Sequence, residues 1–122
     1  MNNPVNWFEI ATIDLERAKD FYGKVFRTTF DFVDMPGSPM YMFAGNPEAP
    51  NSMGALVKSE DNRPSKDGTI VYFTCEDLAV EEARVVENGG HIVRPKSSIG
   101  ENGFIGLFID TEGNMVGLHS MK

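Results

Sequence analysis

The sequence predicts an α+β fold made of two tandem strand-helix-three-strand (βαβββ) modules, and three observations carry that reading. Laid over itself with an offset of 63 residues, the chain sets the strand-like run Asn6-Trp7-Phe8-Glu9-Ile10 on Thr69-Ile70-Val71-Tyr72-Phe73. Each run leads within a few residues to an Asp-Leu pair, Asp14-Leu15 and Asp77-Leu78, that opens an amphipathic stretch. After each such stretch come three further apolar runs separated by Gly, Pro and Asn.

Each element follows from its residues. Asp14 and Asp77 suit a helix N-cap, because a carboxylate accepts an orphan backbone N–H and complements the positive end of the helix dipole. Leu15, Ala18, Phe21, Tyr22, Val25 and Phe26 form one buried stripe at helical spacing, and Leu78, Val80, Ala83, Val85 and Val86 form a shorter one. The second helix is expected to stop at Asn88-Gly89-Gly90, residues able to take the left-handed conformation. The first module's remaining strands are placed at Thr28 to Val33, Met40 to Ala44 and Ser52 to Lys58, and the second's at His91 to Val93, Phe104 to Ile109 and Met115 to His119. Arg94-Pro95 is read as a break, and Thr28 to Val33 could equally be loop. The polar stretch from Ser59 to Lys66 reads as the linker between module 1, about residues 1–60, and module 2, about 67–122, within one domain over residues 1–122.

Composition bounds the function. The chain has 122 residues, 41% hydrophobic and 24% charged, as expected of a globular protein rather than a disordered one. Eleven basic against eighteen acidic residues leave a net charge of −7, which offers no basic surface to nucleic acid. Cys75 stands alone, so no intrachain disulfide forms, and no apolar run reaches the roughly 18 residues of a membrane span. A cytoplasmic location, with no membrane partner, is the expectation.

Two segments are specific enough to suggest a family. Trp7-Phe8-Glu9-Ile10, followed by Asp14-Leu15 and Phe21-Tyr22-Gly23-Lys24-Val25-Phe26, and the closing Asp110-Thr111-Glu112-Gly113-Asn114-Met115-Val116-Gly117-Leu118 together resemble the vicinal oxygen chelate superfamily. That group includes glyoxalase I, bleomycin-resistance binding proteins, fosfomycin-resistance transferases and extradiol dioxygenases. The closing segment is similar to the family's Asp-Pro-Asp-Gly-Asn turn, with Thr111 where Pro is usual. The resemblance covers nearly the whole chain and implies sheets curled around an open groove, often in a dimer that sometimes exchanges modules. It also implies a metal held by His, Gln or Glu near the start and end of each module. The corresponding positions here are Trp7, Ile70 and Gly117, with Gly54 by the 63-residue offset, and none is a ligand. A divalent ion needs N, O or S donors in a tight shell. No metal or other cofactor is therefore expected.

Strand parity then fixes what lines the groove. Trp7 brings Glu9, Ile70 brings Tyr72, Gly54 brings Leu56 and Lys58, and Gly117 brings Met115 and His119. The opposite faces, Phe8 and Ile10, Val71 and Phe73, and Val116 and Leu118, are apolar and suit packing beneath the helices. Glu9 and His119 are thus the candidate catalytic pair, and Trp7, Leu56, Ile70, Tyr72 and Met115 the candidate ligand-binding residues. Each has a blander reading: a carboxylate on an edge strand is often simply solvated, and a histidine such as His119 or His91 is often a surface residue. Cys75 reads as a small apolar filler, and Met35, Met40, Met42 and Met53 as either core filler or an adaptable binding surface. Ser97 to Gly103 reads as a rim loop. The leading functional expectation is metal-independent binding of a small, partly apolar molecule by a homodimer. The alternative is a glyoxalase-related isomerase or lyase that acts on a small carbonyl substrate with Glu9 as general base.

Overall fold

The computed structural model describes residues 3–122 and contains the two modules in tandem. The first runs β1 (Trp7–Ala11), α1 (Leu15–Phe26), β2 (Phe30–Val33), β3 (Met40–Phe43) and β4 (Met53–Val57). The second runs β5 (Tyr72–Thr74), α2 (Leu78–Glu87), β6 (His91–Ser98), β7 (Phe104–Ile109) and β8 (Met115–Ser120), with a short 3-10 turn at Gly100–Asn102. Each module forms its own four-stranded mixed sheet, in the orders β1-β4-β3-β2 and β5-β8-β7-β6. In both, the first strand runs parallel to the last and the other pairs are antiparallel.

Local chemistry accounts for the helix ends. The Asp14 carboxylate accepts the Arg17 N–H at 3.0 Å, and the Asp77 carboxylate accepts the Ala79 N–H at 3.0 Å. α1 ends on Arg27, which takes a left-handed φ of 50° without being glycine. α2 ends as its sequence suggests: Gly89 turns at φ 96°, and the Gly90 N–H returns to the Val85 carbonyl at 2.9 Å.

β6 departs from expectation. It continues through Arg94 and Pro95 to Ser98, with register shifts on either side of Arg94. As the edge strand of its sheet it can carry a proline, whose missing N–H faces no partner there. The expected rim loop is correspondingly shorter, since Ser97 and Ser98 belong to the strand and only the 3-10 turn and its flanks link β6 to β7.

One core joins the modules. Ile10, Phe21, Tyr22, Val25 and Leu56 from the first pack with Cys75, Leu78, Val85, Phe108, Val116 and Leu118 from the second. Phe73 is the bridge: its ring stacks on Phe26 at 4.2 Å and meets Phe8 and Phe43 at 6.0 and 5.7 Å. Each such aromatic contributes about 1.5–3 kcal/mol through burial. Cys75 lies in this core, and burial, followed by the nearby Glu81 charge, pushes its thiol up to about 12. Since the thiolate is the reactive form, native protein at pH 8 is expected to leave Cys75 unmodified by iodoacetamide while unfolded protein reacts fully; mass spectrometry distinguishes the two. No helix among the described residues is long and apolar enough to cross a membrane.

Candidate functional site

The helices cover one face of each sheet and leave the other open. On the first sheet the register settles which residues are which. Phe8 and Ile10 lie in or against the main core, and they pair with Gly54 and Leu56. The open face therefore carries Trp7 and Glu9 from β1, Met53, Ala55 and Val57 from β4, Met40 and Met42 from β3, and Asp31 and Val33 from β2. On the second sheet Phe73 and Leu118 pair on the core side, so Tyr72 and Thr74, then Met115, Gly117 and His119, and then Ile105, Leu107 and Ile109 share the open face.

Leu56 needs correction. It is fully buried beneath α1 and does not reach the open face. The 63-residue offset holds at the helix caps but not at the last strand. The residue four before each cap, Ile10 or Phe73, pairs with Leu56 in one module and with Leu118 in the other, and these lie 62 apart. The equivalent of Gly117 is thus Ala55, not Gly54, and Met53 is the equivalent of Met115. Lys58, which shares the parity of Leu56, leaves the open face as well.

The four inherited metal positions become Trp7, Ala55, Ile70 and Gly117, and none offers a donor atom. At Gly117 the obstacle goes further, because a Cβ built there would lie inside the ring of its neighbour Tyr72. A carboxylate at this position would first have to displace the tyrosine. No group of three or more His, Cys, Asp or Glu side chains among the described residues is placed to hold a metal ion. The residues present do not fit the family's usual metal.

The remaining site residues are exposed or half-buried and come from both modules. Trp7, Ile70 and Tyr72 are 37%, 36% and 46% exposed. The Trp7 indole N–H donates to the Glu9 carboxylate at 3.1 Å, which fixes that acid beside an aromatic plane. His119 is half-buried and its Nε2 bonds the Asn102 carbonyl at 2.7 Å, so the 3-10 turn rests on it. Glu9 and His119 sit on different sheets and their hydrogen bonds go to different partners. His91 is exposed at the start of β6. Met40, Met42 and Met53 all lie on the first open face, where Met40 packs with Ala55 and Val57 and Met42 lies against them; Met35 lies in the β2–β3 turn.

The residues with the densest polar contacts belong to the closing turn. Asp110 accepts the N–H groups of Glu112 and Asn114 and the hydroxyl of buried Tyr22, at 2.8, 2.9 and 2.6 Å. The side chain of Glu112, fully out of solvent, accepts the N–H groups of Ile13 and Asp14 at 2.8 and 2.7 Å and pairs with Arg17 at 2.7 Å. Asn114 donates to the Ala11 carbonyl at 2.8 Å. The end of the second module thus clamps the junction of β1 and α1 in the first. Sequence reasoning placed these residues in a turn but gave them no partner, because their partners lie about a hundred positions away.

A paired βαβββ domain, with one helix-backed core and exposed aromatic side chains on the opposite sheet faces, defines a structural class rather than one activity. The chain belongs to the Glyoxalase/Bleomycin resistance protein/Dioxygenase superfamily, whose profile matches residues 5–118. It is 30% identical over 117 residues, 93% of its length, to the protein named "Putative glyoxylase CFP32" in Mycobacterium bovis and in Mycobacterium tuberculosis. The chain spans less than half, 44%, of the length of those curated relatives. Among solved structures, the glyoxylase/bleomycin resistance protein/dioxygenase domain from Frankia sp. EAN1pec superposes with a TM-score of 0.77 over the full length of both chains at 14% identity. TnmS3, an antibiotic binding protein from Streptomyces sp. CB03234, gives 0.68 at 21% identity, covering 98% of this chain and 96% of its own.

Proposed function

We propose that the open sheet faces bind a small, partly apolar molecule without a metal ion. The observation that carries this reading is the packing of Tyr72 over Gly117: an aromatic ring occupies the place where the family's fold presents a metal ligand, and at the equivalent position of the first sheet stands Glu9, bonded to the Trp7 indole. Exposed rings supply flat contact area at low cost in conformational entropy, and the Met-bearing face between them adapts to varied shapes. Glu9, oriented by the Trp7 indole, supplies an acceptor for a hydroxyl or amide on the ligand. The exposed rings suit a planar aromatic ligand, and TnmS3, which shares the fold, is an antibiotic binding protein. The binding unit is a homodimer, because each module leaves an apolar face and a sheet edge for a partner to cover. Its location is the cytoplasm.

Trp7 is the only tryptophan of the chain, so its fluorescence reports on this face alone. Titration with a panel of planar aromatic antibiotics is expected to quench it saturably. Tyr72→Ala should weaken that binding about tenfold, through loss of one stacking partner, without unfolding the protein. Equilibrium dialysis against Zn, Ni, Mn and Fe should leave no stoichiometric ion. One tightly held ion per chain, or no quenching by any member of the panel, overturns the reading. The glyoxalase-related alternative rests on Glu9 alone as general base. It predicts turnover of the methylglyoxal-glutathione hemithioacetal that Glu9→Gln abolishes.

A further inference from the structure

A second site is built at the opposite end of β1 and β4 from Trp7. β4 runs into a tight turn from Ser59 to Asn62, closed by an antiparallel bridge between those two residues and by a 3.1 Å bond from the Asp61 N–H to the Ser59 hydroxyl oxygen. Lys58 and Arg63 are the residues that flank that bridge. The ion pairs among the described residues join Arg17 to Glu112, Arg84 to Glu81, Lys96 to Asp77 and Lys122 to Glu76, leaving both Lys58 and Arg63 out. They are two cations held on one short turn of a chain whose net charge is −7.

Both cations line one cleft, of about 580 Å³. Its apolar wall is made by Ile13, Pro39 and Pro64, and Ser59 contributes a hydroxyl whose proton is free to be donated. We propose that this cleft binds a small organic anion, with its carboxylate or phosphate held between Lys58 and Arg63 and its apolar body against Ile13, Pro39 and Pro64. The guanidinium fork and the ammonium group together match an oxyanion, and charge-assisted bonds of this kind are the stronger class. Glu60, which also lines the cleft, limits the ligand to a single anionic group by repelling a second.

Backbone amide resonances of the full chain, labelled with nitrogen-15, test this at low ionic strength. Benzoate and phenyl phosphate are expected to shift the signals of Gly37, Lys58, Ser59 and Arg63 saturably, with Trp7 fluorescence unchanged. Benzamide, similar in shape but uncharged, should not shift them, and inorganic phosphate should bind more weakly than phenyl phosphate. Lys58→Gln and Arg63→Gln should each weaken benzoate binding about tenfold, the loss of one charge-assisted partner. Both side chains are exposed, so the variants fold, and the ligand-free variants should melt no lower than wild type because neither side chain has an ion-pair partner to lose. The proposal is overturned if benzamide binds as benzoate does, if inorganic phosphate binds as tightly as phenyl phosphate, or if neither substitution changes the benzoate response. A lower melting temperature in both variants would equally overturn it, by showing that the two cations already have partners within the chain.

Discussion

Replacing Glu112 with alanine is expected to destabilise the protein by about 3 kcal/mol, a fall in melting temperature of roughly 10 °C. The substitution strips acceptors from the N–H groups of Ile13 and Asp14 at the entry to α1 and leaves Arg17 without its carboxylate. The carboxylate itself is out of solvent, so these bonds together contribute more than a surface ion pair would, although Arg17 is half exposed. Glu112→Gln should recover part of the loss, because the amide oxygen still accepts one backbone N–H. The pH dependence separates the charge from the shape. Burial alone would raise the Glu112 carboxyl, but the bonds from Arg17, the Asp14 N–H, Thr111 and the Ile13 N–H outweigh it and hold the group below its ordinary value. The stability contributed by ionised Glu112 is therefore fully present above about pH 5 and is lost as the pH falls through that depressed value. Thermal melts of wild type and Glu112→Gln should converge on acidification. Parallel curves down to acid pH would show that the carboxylate charge contributes nothing.

The second large effect is expected at a glycine. A Cβ at Gly54 would lie inside the Phe8 ring, and that ring is pinned between Phe43 and Phe73 at the joint of the two modules. Gly54→Ala should cost about 3 kcal/mol, since the ring can move only by disturbing packed aromatics. Gly117→Ala meets the same crowding from Tyr72, yet that ring is half in solvent and can swing away. Its cost should stay under about 1 kcal/mol while the aromatic cover of the open face is lost. Chemical denaturation of the two variants side by side measures the contrast. Equal losses would mean that Tyr72 is held as firmly as Phe8.

The same pair of glycines shows what was legible in the chain and what was not. β1, β5 and β8 alternate between apolar and mixed residues, so their faces can be read directly: Phe8 and Ile10 inward, Trp7 and Glu9 outward. In β4, Met53-Gly54-Ala55-Leu56-Val57 is apolar throughout because Leu56 enters the helix-backed core while Ala55 and Val57 pack with Met40 on the other face, and alternation carries no information there. Parity had to be borrowed from the repeat, and the second module is one residue shorter between its helix cap and its last strand. A slip of one residue turned Leu56 from core to groove. The helix caps were legible because Asp14 and Asp77 act within three residues of themselves. The partners of Glu112 and the placement of Glu9 and His119 on different sheets depend on contacts between distant segments or on which sheet a strand joins, and local pattern does not encode those.

The clamp from the closing turn has a consequence for how the chain is made. Two N–H groups at the start of α1, the Ala11 carbonyl and the Tyr22 hydroxyl all find their partners in residues 110–114. On the ribosome the first helix emerges early, but its entry stays solvated and loosely held until nearly a hundred further residues have been synthesised. The first repeat therefore waits for the second. A nascent chain stalled before Asp110 should leave α1 open to protease, and release of the closing turn should protect it in a single step.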